Sequence, residues 1–142
     1  MLDKFIGDAT MAIFNAPNDQ EDYVYQAVLA GLDMQKKGSE LGKELQKEYG
    51  RTVNFGVGIH VGEAVVGNIG SSKRMDYTAI GDTVNTASRI EGKSASGELL
   101  ISEEVYKILE GRIKAEFKEE MSLKGKEKPV PVYSVTGIAE MN

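Results

Sequence analysis

Cysteine is absent from the 142 residues and histidine occurs once, which excludes disulfide bonds, thiolate catalysis, sulfur-ligated metal and a histidine-rich metal site. A cysteine-free chain is compatible with a reducing, cytoplasmic compartment. No apolar run approaches the ~20 residues of a membrane helix, and Met1 to Phe14 lacks the charged-then-apolar layout of a signal peptide. Positive charge is also in deficit, with 17 Lys+Arg against 22 Asp+Glu for a net charge of −5. No block of like charges reaches five, which argues against a nucleic-acid surface and against a polybasic membrane anchor. Any polyanionic ligand would need local cations or metal. What is present is ordinary globular usage, 41% hydrophobic and 27% charged, in a length suited to one domain over residues 1–142.

Strand and helix signals alternate along the chain. Leu2 to Ile6 and Thr10 to Phe14 are short apolar-rich runs around Gly7-Asp8-Ala9, the pattern of a β-hairpin. Asn18 with Glu21 three residues on reads as a capping box. Val24, Ala27, Val28, Gly31, Met34, Leu41 and Leu45 then mark one face of a long helix, weakened by Gly31 and Gly38 and stopped by Gly50. From Val53 to Val61 apolar residues alternate with Asn54, Gly56, Gly58, His60 and Gly62. That is a strand whose second face is almost bare, and a bare face predicts that another backbone packs close against it. Glu63 to Ile69 reads as extended, Gly70 to Arg74 as a polar loop, and Tyr77 to Ile80 as a short strand. Asp82 or Thr83 can cap a helix through Glu91. Leu99 to Ile101 follows as a brief strand, and Ser102 caps a helix from Glu103 to Leu109. Strands from Ala115 to Leu123 and from Val130 to Val135 close a mixed α/β (α+β) domain.

Few residues stand out chemically, and each has a plain structural reading beside the functional one. Asp8 at a hairpin tip could offer a carboxylate to a metal, although aspartate favours turns in any case. Lys4 reads by itself as a solvated strand lysine. The segment Gly67 to Arg74 has the composition of a phosphate-cradling loop but neither the spacing of one nor a helix to feed. Asn85 and Arg89, four apart, emerge on one helix face, which matters only if anionic oxygens meet it. Lys124 could reach a phosphate as a point charge, or simply sit in a charged loop. His60 reads as a hydrogen-bonded structural histidine, and no Ser/His/Asp set can be argued.

Four ordered stretches together carry a resemblance: Asp3-Lys4-Phe5-Ile6-Gly7-Asp8-Ala9, Phe55 to Gly62, Val66 to Ser71, and Asp76 to Arg89. They are similar to the class III nucleotide cyclases, the adenylyl and guanylyl cyclase catalytic domain. The resemblance implies a ferredoxin-like α/β domain that works as a homodimer with composite sites, usually attached to regulatory domains. It also implies attack of a ribose 3′-oxygen on an α-phosphate, assisted by two Mg2+ or Mn2+ ions per complete site. By position, Asp8 matches a metal-binding aspartate and Lys4 the lysine that reads the purine. Thr78 falls where its base-selecting partner stands, so the pair favours ATP over GTP. Asn85 resembles the residue that orients the ribose, Arg89 the arginine that stabilises the transition state, and Lys124 the lysine that holds the terminal phosphates.

The resemblance departs at the front. The family's domain opens with a strand bearing the first metal aspartate, in a Phe-Thr-Asp-Ile-like motif, and two helices, none of which precedes Leu2. One motif carboxylate leaves the two-metal cluster without a bridging ligand. The expectation is therefore an N-terminally truncated domain, nearly inactive alone, with an open sheet edge. Two competing readings accompany it: a guanylyl cyclase, and a cyclase-derived nucleotide-binding or dimerisation module without turnover.

Overall fold

The computed structural model describes residues 2–6, 9–16, 18–50, 55–71, 74–122 and 128–139. Its centre is β6 (Leu99–Ser102), whose four residues are all buried. The apolar run Leu99 to Ile101 is what a strand covered on both faces requires. Leu99 and Ile101 face one cluster, with Val24, Val28, Val105, Leu109, Ile113 and Val135, while Leu100 faces another, with Ile90, Met121, Val130 and Val132. β3 (Val57–Ile59) pairs with β6 in parallel, β8 (Val130–Ile138) pairs with its other edge antiparallel, and β7 (Ile113–Met121) pairs beyond β8. The result is a four-stranded sheet in the order β3-β6-β8-β7.

Helices α1 (Tyr23–Tyr49) and α3 (Glu103–Leu109) supply the first cluster, and α2 (Asp82–Lys93) supplies Ile90 to the second. Gly31, a weak helix former by propensity, is buried where a Cβ would stand 3.0 Å from the Leu99 side chain. Its smallness brings α1 down onto the sheet. Gly50 ends the helix as expected, in the left-handed conformation at φ 68°, with its N–H bonded to the Gln46 carbonyl. The helix start differs from the expected Asn18 capping box. The N-cap is Asp22, whose side chain makes no cap bond because Arg112 takes both carboxylate oxygens, at 2.8 and 2.7 Å. Arg112 also lies over the Tyr25 ring, 4.0 Å from its centroid. Upstream, Asn15 and Gln20 instead exchange side-chain-to-backbone hydrogen bonds at 2.6 and 2.8 Å.

On the sheet surface Tyr106 of α3 stacks on Tyr133 of β8, with centroids 4.1 Å apart and planes 5° from parallel, and Phe117 of β7 meets Tyr133 edge-on. Lys118 caps the α2 end by donating to the Lys93 carbonyl at 3.3 Å and pairs with Glu98. Burial raises the Glu98 pKa, but the hydrogen bonds from Lys118 and the Ala95 amide outweigh it and hold the carboxyl below its ordinary value. Ser102 caps α3 as the sequence suggests, accepting from the Val105 amide at 3.5 Å.

Two hairpins stand apart from this sheet. β1 (Leu2–Ile6) pairs with β2 (Ala9–Ala12), and β4 (Val65–Ser71) pairs with β5 (Arg74–Ile80), each as a two-stranded antiparallel ribbon. Of the expected polar loop from Gly70 to Arg74, Gly70, Ser71 and Arg74 are strand, with Ser71 paired opposite Arg74, and residues 72–73 lie outside the described residues. The expected strand from Val53 to Val61 is shorter in the opposite sense. Residues 51–54 lie outside the described residues, and β3 stops at Ile59 because its partner β6 gives way to α3 after Ser102. Among the described residues β3 pairs only with β6 and β2 only with β1. Both therefore keep an open edge, and a cavity of about 490 Å3 is lined by Thr10 to Ala16 on one side and Val57 to Gly62 on the other. Among the described residues no helix is long and apolar enough to cross a membrane.

Candidate functional site

The helix α2 organises the site. It starts at Gly81, whose φ of 130° and lack of a side chain make the turn out of β5 possible. Thr86 and Ile90 are buried, Thr83, Val84 and Ala87 half-buried, and Asn85 and Arg89 exposed. The sequence thus divides the helix into an inner stripe at 83, 86, 87 and 90 and an outer one carrying Asn85 and Arg89 a turn apart. An amide and a guanidinium side by side offer donors to a polyanion.

The inner stripe is held against β3 by the bare face that the alternation of Gly56, Gly58, His60 and Gly62 predicts. A Cβ at Gly58 would stand 2.7 Å from the Cα of Glu91, so only glycine lets the strand and helix backbones meet there. His60, just past the end of the same strand, is 93% buried at the side chain and places Nδ1 2.8 Å from the Ser102 Oγ and 3.8 Å from a Glu104 oxygen. That is the structural, hydrogen-bonded histidine expected from the sequence.

The structure places the remaining candidates unevenly. Lys4 lies on β1 opposite Met11, and Thr78 lies on β5 opposite Gly67. β5 contacts both β1 and α2, so the strands carrying Lys4 and Thr78 and the helix carrying Asn85 and Arg89 are neighbours. Asp8 and Lys124 lie outside the described residues. Of the stretch with the composition of a phosphate loop, Gly67 to Ser71 belong to β4 and Arg74 opens β5, so it leads into a strand and not a helix, and residues 72–73 lie outside the described residues.

A divalent metal would need converging carboxylates, and among the described residues no three His, Cys, Asp or Glu side chains gather. The described donor set does not by itself make up a metal site. Thr83 was missed as anything beyond a possible cap. Its hydroxyl donates to the Glu63 carbonyl at 2.6 Å, across 20 residues, and local periodicity carries no signal for such a pair.

Comparison with known proteins gives a consistent result. Residues 4–137 match the family described as the adenylate and guanylate cyclase catalytic domain. An adenylate cyclase of Anabaena cylindrica is 36% identical over 94% of this chain, and adenylate cyclase 1 of Rhizobium meliloti is 31% identical over 95%. The chain spans 28% and 21% of the lengths of those two proteins. Among solved structures, the guanylyl cyclase Cya2 superposes with a TM-score of 0.90 at 34% identity, covering 99% of this chain and 71% of that one. The adenylyl cyclase CyaB from P. aeruginosa gives 0.87 at 36%, covering 95% and 70%.

Proposed function

This chain belongs to the adenylate and guanylate cyclase catalytic domain family, and from that premise we propose that it is the catalytic part of an adenylyl cyclase. The reaction is conversion of ATP to 3′,5′-cyclic AMP and pyrophosphate. The ribose 3′-oxygen forms a bond to the α-phosphorus, the bond from that phosphorus to the pyrophosphate oxygen breaks, and the 3′-hydroxyl proton is released. The observation that carries the reading is the exposed pairing of Asn85 and Arg89 on α2, with β5 and its Thr78 set between that helix and the Lys4 strand. In this reading Asn85 orients the ribose and Arg89 meets the charge that develops on the α-phosphate. Lys4 and Thr78 read the adenine, and Lys124 holds the terminal phosphates.

Asp8 would be one ligand of Mg2+ or Mn2+. Because no three metal-ligating side chains gather among the described residues, the 142-residue chain is expected to be nearly inactive alone. The exposed cross-strand pair Val65 and Ile80, 65% and 46% exposed, suits burial against a second copy. We take the working unit to be a cytoplasmic homodimer, attached to regulatory segments.

The test is cyclic nucleotide formation by the full gene product, with ATP and GTP compared under manganese. Cyclic AMP in excess of cyclic GMP is expected, with turnover lost in Asp8→Ala and lowered about 10²–10³-fold in Arg89→Ala, as for removal of a transition-state donor. A preference for GTP would overturn the base assignment. Unchanged turnover in Asp8→Ala would overturn the metal assignment, and absence of product from either nucleotide would favour a non-catalytic module.

A further inference from the structure

We infer that Thr83, seated against Gly62, is a positioning residue that sets the angle of the first turn of α2 and so aims Asn85 and Arg89. The inference rests on the cyclase reading for its catalytic half and on geometry alone for the clasp itself.

Helix α2 begins without a side-chain cap bond at its N-cap position. Its N-cap is Gly81, which has no side chain to accept from the free amides of the first turn. The far end of the helix is well held, by Gly58 under Glu91, by buried Ile90 and by Lys118 on the Lys93 carbonyl. At the near end the Thr83 hydroxyl donates to the Glu63 carbonyl at 2.6 Å. A Cβ at Gly62 would lie 2.6 Å from that same hydroxyl oxygen, so the β3–β4 connection is pressed onto Thr83. A hydrogen bond and a steric stop therefore act on one side chain.

Asn85 is two residues further on, on the opposite stripe, and its amide closes the first helical turn onto the Gly81 carbonyl at 3.2 Å. A helix anchored at its far end and released at its near end would swing the outer stripe. Arg89, closer to the anchored end, would move less than Asn85. The connection that holds Thr83 is itself fixed at its origin, because His60 is tied to Ser102 at the junction of β6 and α3. The aim of the helix thus derives from the central sheet as well as from the β5 ribbon that precedes it.

Three variants separate hydroxyl from packing: Thr83→Val keeps the shape and removes the donor, Thr83→Ser keeps the donor, and Gly62→Ala displaces it. In the full gene product, Thr83→Val and Gly62→Ala are expected to lower kcat about tenfold or more, with KM for metal–ATP changed less than about twofold, as for a misaimed group. Thr83→Ser is expected to restore most of the turnover. In the 142-residue chain, hydrogen exchange at the Asn85 amide should accelerate several-fold in Thr83→Val and Gly62→Ala, while the Ile90 amide stays protected. Equal damage from Thr83→Ser and Thr83→Val would overturn the proposal, because the hydroxyl would then not be the operative group. Loss of protection along the whole helix, or wild-type exchange in Thr83→Val, would overturn it as well. Absence of product from the wild-type gene product would overturn the cyclase reading and the catalytic half with it, and the exchange pattern would still judge the clasp.

Discussion

The four-stranded sheet and the two ribbons are built from the same kinds of residue yet differ in how they are supported. In the sheet, β6 is buried on both faces and α1, α2 and α3 all pack against it or its neighbours. The β4–β5 ribbon has seven residues in each strand, and the two side chains at its base, Val65 and Ile80, face solvent. A two-stranded hairpin is marginal by itself in water. The contrast separates a chassis that stabilises itself from arms that gain their support elsewhere. Lys4 and Thr78 lie on the arms, and Asn85 and Arg89 on a helix anchored to the chassis.

Truncation on the two sides should make that contrast measurable. Ile101→Ala, at a fully buried position of β6, is expected to cost about 2–5 kcal/mol in urea unfolding. Ile80→Ala on the ribbon should stay within about 0.5 kcal/mol in the monomeric chain. A comparable loss at Ile80 would show that the arm is part of the same core.

The seam between chassis and active helix is sharper still. Gly58→Ala must push β3 and α2 apart, and overpacking of this kind costs about 1–3 kcal/mol. Unlike Ile101→Ala, it should also displace the Asn85–Arg89 stripe, so nucleotide turnover should fall further than stability does. Unfolding midpoints and turnover measured on one preparation would decide this.

The smallest effect concerns the joint between α1 and β7. The Arg112 guanidinium, hydrogen-bonded to Asp22, holds that carboxyl below its ordinary value of 3.8. A depressed folded-state pKa contributes stability that is present above the ordinary value and is lost as pH falls through the lowered one. Asp22→Asn should therefore narrow its stability gap to the wild type below about pH 4 and leave a constant gap at neutral pH. Because the pair is largely exposed, the gap should be small and should shrink in high salt.

Much of the chassis was legible because its signals are periodic. The glycine alternation from Gly56 to Gly62 predicted a close backbone, and the helix α2 lies there. Ser102 and Gly50 announced a helix start and a helix stop through chemistry local to each. Part of what the sequence did not reveal comes from partners distant in the chain. The helix expected to start from Asn18 has Asp22 as its N-cap, whose carboxylate is held by Arg112, 90 residues away, and Thr83 spends its hydroxyl on Glu63. Gln35 is similar, bridging the Phe55 and Glu98 carbonyls at 3.0 Å each from mid-helix. Of the site, Asn85 and Arg89 were placed by helical spacing, whereas the roles of Lys4, Asp8, Thr78 and Lys124 came only with the family resemblance.

The stacked rings of Tyr106 and Tyr133 have a practical consequence. In a chain without tryptophan, tyrosine dominates the ultraviolet signal, and two parallel rings in van der Waals contact couple their transitions. They bridge α3 and β8, so that coupled signal reports docking of helix onto sheet without any attached dye. The molecule carries its own optical gauge of whether the chassis is assembled, independent of what the ribbons are doing.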